Sequence, residues 1–306
     1  MRIIVHGQQA FGKSVLEALL DRSEDIVGVY CAPDRDGRPP DPIKQCATER
    51  GLPVFQPGSW RKPETAEQMA SLRPDLCVMA YVTAFVPEEA LNVPTHGSIQ
   101  YHPSLLPRHR GGSSINWPII WGETRTGLSI FWPDNGLDEG PILMQKEVEI
   151  TDDDTLGSLY FDKLFPMGVE AMLESVDLVR DGKAPKVEQD HSKATYEGWC
   201  QGDLVRINWH LPTQTTWNLI RGCNPAPGAW TTFEGGKVAV FDGTKVGEAK
   251  SVQPGEVTRV GDDGVQIATA DAQILVRRVR PEGSRKKVAA AEWAGESGVG
   301  VGSRLQ

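Results

Sequence analysis

The stretch Arg2-Ile3-Ile4-Val5-His6-Gly7-Gln8-Gln9-Ala10-Phe11-Gly12-Lys13-Ser14-Val15-Leu16-Glu17-Ala18-Leu19-Leu20 decides the fold. A short apolar run ends at Gly7, and Ala10–Leu20 then carries Phe11, Val15, Leu16, Leu19 and Leu20 at helical spacing. The alternation repeats outward from there. Ile26–Tyr30 reads as a second strand, Pro42–Arg50 as a helix stopped by Gly51, and Val54–Phe55, Leu76–Ala80 and Ser98–His102 as further strands. A helix over Glu64–Leu72 separates two of them, and strands at Leu128–Trp132 and Ile142–Ile150 extend the series. Strands alternating with helices predict a Rossmann-like α/β domain, a mostly parallel sheet with helices on both faces. A long helix over Thr155–Arg180 closes it, so the first domain is expected to span 1–182.

The texture then changes. Residues 183–203 are polar and aperiodic, which predicts a linker. Beyond it come one helix, Pro212–Arg221, and short β-type runs at Lys237–Phe241, Gly255–Val260, Gly264–Thr269 and Ala272–Val279, spaced by Gly and Asp turns. Short strands at this spacing predict a smaller, OB-like β-barrel domain over 204–294. The Gly- and Ser-rich tail, 295–306, is expected to be disordered.

Bulk properties narrow the function classes. The chain of 306 residues carries a formal net charge of -9, which argues against broad non-specific nucleic-acid binding but does not exclude a local basic channel. Five cysteines, at 31, 46, 77, 200 and 223, are scattered without a C-x-x-C pair, as expected of reduced thiols in a cytoplasmic protein with no metal site. The N-terminus has no signal-peptide pattern, and no apolar stretch approaches the roughly 20 residues needed to span a membrane.

Two motifs compete for the chemistry. Gly7–Ser14 matches G-x-x-x-x-G-K-S between a strand and a helix, the context of a phosphate-cradling loop with Lys13 on phosphate and Ser14 on magnesium. Phe11 and Val15 are better explained as a helix face packed on the sheet, and the run Leu128–Asp134 reaches its acid only after Pro133. A phosphotransferase is therefore a distant alternative. G-x-G-x-x-G is absent, so nothing points to a dinucleotide. The second motif is denser: His96 to Gly112 reads His-Gly-Ser-Ile-Gln-Tyr-His-Pro-Ser-Leu-Leu-Pro-Arg-His-Arg-Gly-Gly. A strand at Ser98–His102 puts Gln100 and His102 on one face, at the edge where open α/β sheets place ligands. The Gly-rich acidic loop Asp134–Gly140 can return a carboxylate to the same edge.

At these residues the chain resembles the formyltransferase family that uses 10-formyltetrahydrofolate. The resemblance rests on Gln100-Tyr101-His102, where the family has Asn-x-His, on Ser104-Leu105-Leu106-Pro107, and on Leu137-Asp138-Glu139-Gly140. Ile115-Asn116-Trp117, Ser129-Ile130-Phe131-Trp132, Ala194-Thr195-Tyr196-Glu197-Gly198, Ile207-Asn208-Trp209, Pro227-Gly228-Ala229-Trp230-Thr231 and Arg280-Pro281-Glu282-Gly283 extend it over nearly the whole chain. The pattern is most similar to the hydrolase domain of 10-formyltetrahydrofolate dehydrogenase, and it also resembles methionyl-tRNA formyltransferase. The dehydrogenase would continue into carrier and aldehyde dehydrogenase domains where this sequence stops, so oxidation of the formyl group is not expected.

The resemblance implies roles. His102 would stabilise the oxyanion formed at the formyl carbon, and Asp138 would favour the protonated imidazole and order a water. Gln100, one methylene longer than the family's Asn, would give a second hydrogen bond to the oxyanion. The hydrolase domain of the dehydrogenase carries an aliphatic residue there, so formyl removal does not require Asn. Backbone groups of Ala84, Phe85 and Val86, with Asp138, would hold the pterin. Arg108 and Arg110 would meet a folate tail or an acidic acceptor, or else be solvated. The acceptor is expected to be water, with an amine such as methionyl-tRNA or an amino sugar as the alternative.

Overall fold

In the computed structural model, described for residues 1–248 and 252–306, the first apolar run forms β1 (Arg2–Gly7), buried from Ile3 onward. It joins β2 (Asp25–Tyr30), β3 (Val54–Phe55), β4 (Leu76–Ala80), β5 (Ser98–His102), β6 (Arg125–Phe131) and β7 (Ile142–Glu149) in one sheet, ordered β3-β2-β1-β4-β5-β6-β7. β1 to β5 run parallel, and β6 lies antiparallel to β5. Helices α1 (Gln9–Asp21), α2 (Pro42–Glu49), α3 (Pro63–Ser71) and α4 (Glu88–Leu91) connect the early strands.

Alternation along each strand sorts side chains between two cores. Val5, Val78, Ile99 and Tyr101 pack with Phe11 and Val15 of α1 and Met172 of the helix Phe165–Arg180. Ile4, Tyr30, Cys77 and Met79 face the other way, with Met69 of α3 and Ala90 and Leu91 of α4. The sheet is thus covered on both faces, as predicted. Gln100 lies beside Met79 in the β4–β5 register, on the face opposite Tyr101. The strand order reverses between β1 and β4, which opens a crevice at their carboxyl ends.

The phosphate-loop reading of Gly7–Ser14 is overturned. Only Gln8 separates β1 from α1, so Gly12, Lys13 and Ser14 lie inside the helix rather than in a loop. The Asp41 carboxylate accepts from the Gln9 amide at 2.8 Å, which puts a protein anion where a phosphate would dock. Lys13 points to Glu17 at 3.7 Å on the exposed side. The glycines serve close packing instead: a Cβ on Gly7 would sit 2.6 Å from the Ala80 carbonyl oxygen.

The expected domain boundaries shift. One compact unit comprises residues 1–111, 127–148 and 161–196, and the other 112–126, 149–160 and 197–306. The boundary at 196/197 falls within the expected linker 183–203, whose first part packs with the first unit: Val187 bridges to Ile142, and Gln189 is buried. The long helix predicted over Thr155–Arg180 is interrupted. A short turn at Leu156–Ser158 and a π-helix at Leu159–Leu164 precede the helix Phe165–Arg180, because Pro166 supplies no amide for a continuous ladder.

In the second unit the described strands pair as two four-stranded antiparallel sheets rather than one continuous ring. The orders are β10-β13-β12-β11 and β15-β14-β9-β8, with β8 at Ala229–Phe233, β9 at Gly236–Val240, β10 at Gly243–Val246 and β11 at Val257–Gly261. β12 spans Gly264–Ala268, β13 Gln273–Val276, β14 Arg278–Pro281 and β15 Val288–Ala289. The single strand predicted over Ala272–Val279 therefore divides, its halves pairing in different sheets on either side of Arg277. The core holds Trp209, Trp217, Trp293, Val240, Ile267 and Ile274. The tail is not disordered: Ala290–Ser297 is helical, Val299 and Leu305 are buried, and the Gln306 carbonyl accepts from the Thr232 amide at 2.8 Å. Among the described residues, no helix is long and apolar enough to cross a membrane.

Candidate active site

The sheet edge at the end of β5 brings His102 and Asp138 together. His102 Nδ1 lies 3.4 Å from Asp138 Oδ2, and both side chains are at least nine-tenths buried. The other ring nitrogen, Nε2, is 2.8 Å from the His109 carbonyl oxygen. A carbonyl can only accept, so Nε2 carries a proton there; only the doubly protonated ring donates in both directions.

Each partner is held from behind. The Gly111 amide donates to Asp138 Oδ2 at 2.8 Å. Asp138 itself has φ 56, a left-handed conformation costing on the order of 1 kcal/mol that the surroundings must sustain. His109 shares the strain, also at φ 56, and its amide donates to Thr195 Oγ1 at 2.8 Å. The Ser104–Pro107 turn is pinned by Ser129, whose Oγ accepts from the Leu106 amide at 3.0 Å and donates to the Ser104 carbonyl at 2.7 Å. Gln145 Nε2 adds a 2.9 Å bond to the Leu106 carbonyl. The Ser-Leu-Leu-Pro segment is therefore a braced turn whose outcome is the placement of His109's carbonyl against His102.

Gln100 lies one strand period before His102, half-buried, and its carboxamide makes no hydrogen bond among the described residues. Ala84 and Phe85 are exposed and Val86 is buried, in the segment after β4. They adjoin a cavity of about 310 Å³ at the ends of β1 to β4, lined by Gly7, Gln8, Trp60, Arg61, Tyr81 and Phe85 among others. It occupies the crevice that the strand order creates. His6 forms part of its floor, its ring centre 4.4 Å from that of Trp60 and tilted by 32°; burial pushes its pKa down to about 3, so the ring is neutral. The Arg61 guanidinium lies 5.5 Å from the Phe85 ring centre.

Arg110 departs from both expectations. It is neither solvated nor turned outward but 2% exposed, enclosed by Gln189, Tyr196, His191 and Glu139. Arg108 is exposed. Sequence reasoning missed His6, Trp60, Arg61 and Gln189. The available signal for His6 was its place near the end of β1; Trp60 and Arg61 lie in the loop between β3 and α3, and Gln189 had no signal beyond lying in a polar segment. Among the described residues, no cluster of three or more His, Cys, Asp or Glu side chains has the arrangement of a metal site.

Models of two known domain families match this sequence: formyl transferase over residues 1–176, and formyl transferase, C-terminal domain, over residues 202–297. This chain belongs to the formyl transferase family. It is 39% identical over 311 residues to human cytosolic 10-formyltetrahydrofolate dehydrogenase, covering 96% of this chain and 34% of that protein. It is 37% identical over 311 residues to methionyl-tRNA formyltransferase of Geotalea uraniireducens (strain Rf4), covering 100% of this chain and 98% of the relative. The chain thus spans about a third of the dehydrogenases it matches and nearly all of that transferase. In fold it is similar to HypX from Aquifex aeolicus, solved with tetrahydrofolic acid, at TM-score 0.71 and 20% identity over 98% of this chain and 48% of that one. A Helicobacter canadensis N-formyltransferase solved with folinic acid and dTDP-3-aminofucose has TM-score 0.69 at 17% identity, covering 90% of this chain and 98% of that one.

Proposed function

We propose that this protein removes the formyl group of 10-formyltetrahydrofolate and passes it to water, giving tetrahydrofolate and formate. The observation that carries the reading is the apposition of His102 and Asp138, buried, at the carboxyl end of a parallel strand. Backbone groups of Ala84, Phe85 and Val86 hold the pterin beside Asp138. Water attacks the formyl carbon while the Asp138 carboxylate takes its proton, and the resulting tetrahedral oxyanion accepts from His102 and from the free carboxamide of Gln100. The carbon–N10 bond then breaks, N10 takes the proton held by Asp138, and the released formic acid ionises to formate. His102 Nε2 stays anchored on the His109 carbonyl; the 3.4 Å contact at Nδ1 is the looser one and is the one that yields to the formyl oxygen. The five cysteines are free and buried, which supports a reducing, cytoplasmic setting.

Formylation of an amine, on methionyl-tRNA or an amino sugar, is the second reading. It is favoured by the match along nearly the full length of a methionyl-tRNA formyltransferase. Incubation of the purified protein with 10-formyltetrahydrofolate alone separates the two. Stoichiometric tetrahydrofolate and formate are expected; formylated amine on adding an acceptor, without formate in its absence, overturns the hydrolase reading.

A further inference from the structure

The charge of Arg110 is buried, and a buried guanidinium must be met by acceptors. Its Nε and Nη2 donate to Gln189 Oε1 at 3.1 and 2.7 Å. Gln189, itself 5% exposed, spends its other end on the loop that carries Asp138: Nε2 donates to the Asp138 carbonyl at 2.9 Å and to the Gly140 carbonyl at 2.7 Å. The amide orientation is forced, because a guanidinium only donates and a carbonyl only accepts. Tyr196 closes the ring from outside, bonding Arg110 Nη1 and donating to Glu139 Oε1 at 2.6 Å. Arg110 immediately precedes Gly111, whose amide holds the Asp138 carboxylate. The carboxylate and its own backbone are therefore fixed by two adjoining ties that meet in one side chain.

The geometry points to Gln189 as a positioning residue: its amide, oriented by Arg110, holds the left-handed Asp138 so that the carboxylate faces His102. This rests on reading His102 and Asp138 as the reacting pair. Gln189 touches neither ring nor carboxylate and acts through the backbone on either side of Glu139.

Gln189→Glu isolates the effect. The carboxylate still pairs with Arg110 but presents oxygen, not N–H, to two carbonyls. The kcat for formyl release falls about 30-fold with KM within about threefold, as a slight displacement of a catalytic group requires. In an Asp138→Asn background the same change costs nothing further, since its route is gone. Hydrogen exchange at the Gly111 amide accelerates about tenfold while the Tyr101 amide in β5 keeps its protection. Gln189→Met, which keeps the volume without charge, repeats the measurements should the Glu variant fold poorly. Additive losses with Asp138→Asn, or unchanged Gly111 exchange in a folded variant, overturn the inference. Wild-type protein that releases no formyl group to any acceptor overturns the functional reading instead, and the exchange measurement still decides the role of Gln189.

Discussion

Lowering the pH to 5 should destabilise this protein through one side chain, His6. The residue is 6% exposed, its ring packed against Trp60, and its pKa is lowered from 6.5 to about 3 by burial. In the unfolded chain it returns to about 6.5. Between these values the unfolded state binds a proton that the folded state refuses, so stability is fully present above pH 6.5 and is lost as pH falls toward 3. The loss follows RT ln(1 + 10^(6.5 − pH)): about 0.8 kcal/mol at pH 6 and about 2 kcal/mol at pH 5. Other groups titrate over the same range, so the test is a difference of differences. Urea unfolding of wild type and His6→Gln is compared at pH 7.5, 6.0 and 5.0. The wild type should lose about 2 kcal/mol more than the variant between the first and last. Equal losses would refute the reasoning, because they would mean that the folded protein accommodates the imidazolium at no cost.

Replacing the proposed reacting pair should separate chemistry from folding. His102→Ala and Asp138→Asn should each lower the kcat for formyl release by about 100- to 1,000-fold with far-UV circular dichroism unchanged; a variant within threefold of wild type would count against that residue. Gly140→Ala should destabilise by about 1–3 kcal/mol in thermal unfolding, since the added Cβ would sit 1.8 Å from the Trp132 carbonyl oxygen at the neck of the Asp138 loop. Lys13→Ala should leave formyl release within twofold of wild type, as its ammonium pairs with Glu17 at 3.7 Å on an accessible helix face; a large loss would revive the phosphate reading.

What the sequence revealed follows from how completely each segment is buried. β4 and β5 were predicted with their observed ends because Leu76–Ala80 is buried throughout and Ser98–His102 nearly so. An apolar run bounded by turns has few alternatives. In the second unit the strands are short and half-exposed, as with Gly243–Val246 and Val257–Gly261, so neither period nor hydrophobicity marks them strongly. The tail illustrates the same limit: Gly and Ser dominate it, and two apolar residues, Val299 and Leu305, anchor it. At the candidate site, His102 was marked by its strand register, while only the resemblance separated Asp138 from Asp134 and Glu139; their 3.4 Å contact is a matter of topology that no local pattern shows. Arg110 was not. Nothing local distinguishes an arginine that will be enclosed from one that will be solvated; the difference is made by Gln189 and Tyr196, far along the chain. The peptide carbonyls that Gln189 serves carry no sequence signal at all.

The path of the chain around Gln189 bears on how the protein can be cut. Residues 183–196 pack with the sheet that carries His102, although they follow the last long helix of that unit and lie past the N-terminal family match. Proteolysis at Gly182 would cut the covalent link to the acceptor that Arg110 Nε and Nη2 share, and loss of the C-terminal piece would strand a buried cation behind the candidate site. Limited digestion there would leave His102 and Asp138 together on one piece while the residue proposed to position Asp138 lies on the other. Nicking beyond Tyr196, by contrast, would spare every one of those bonds.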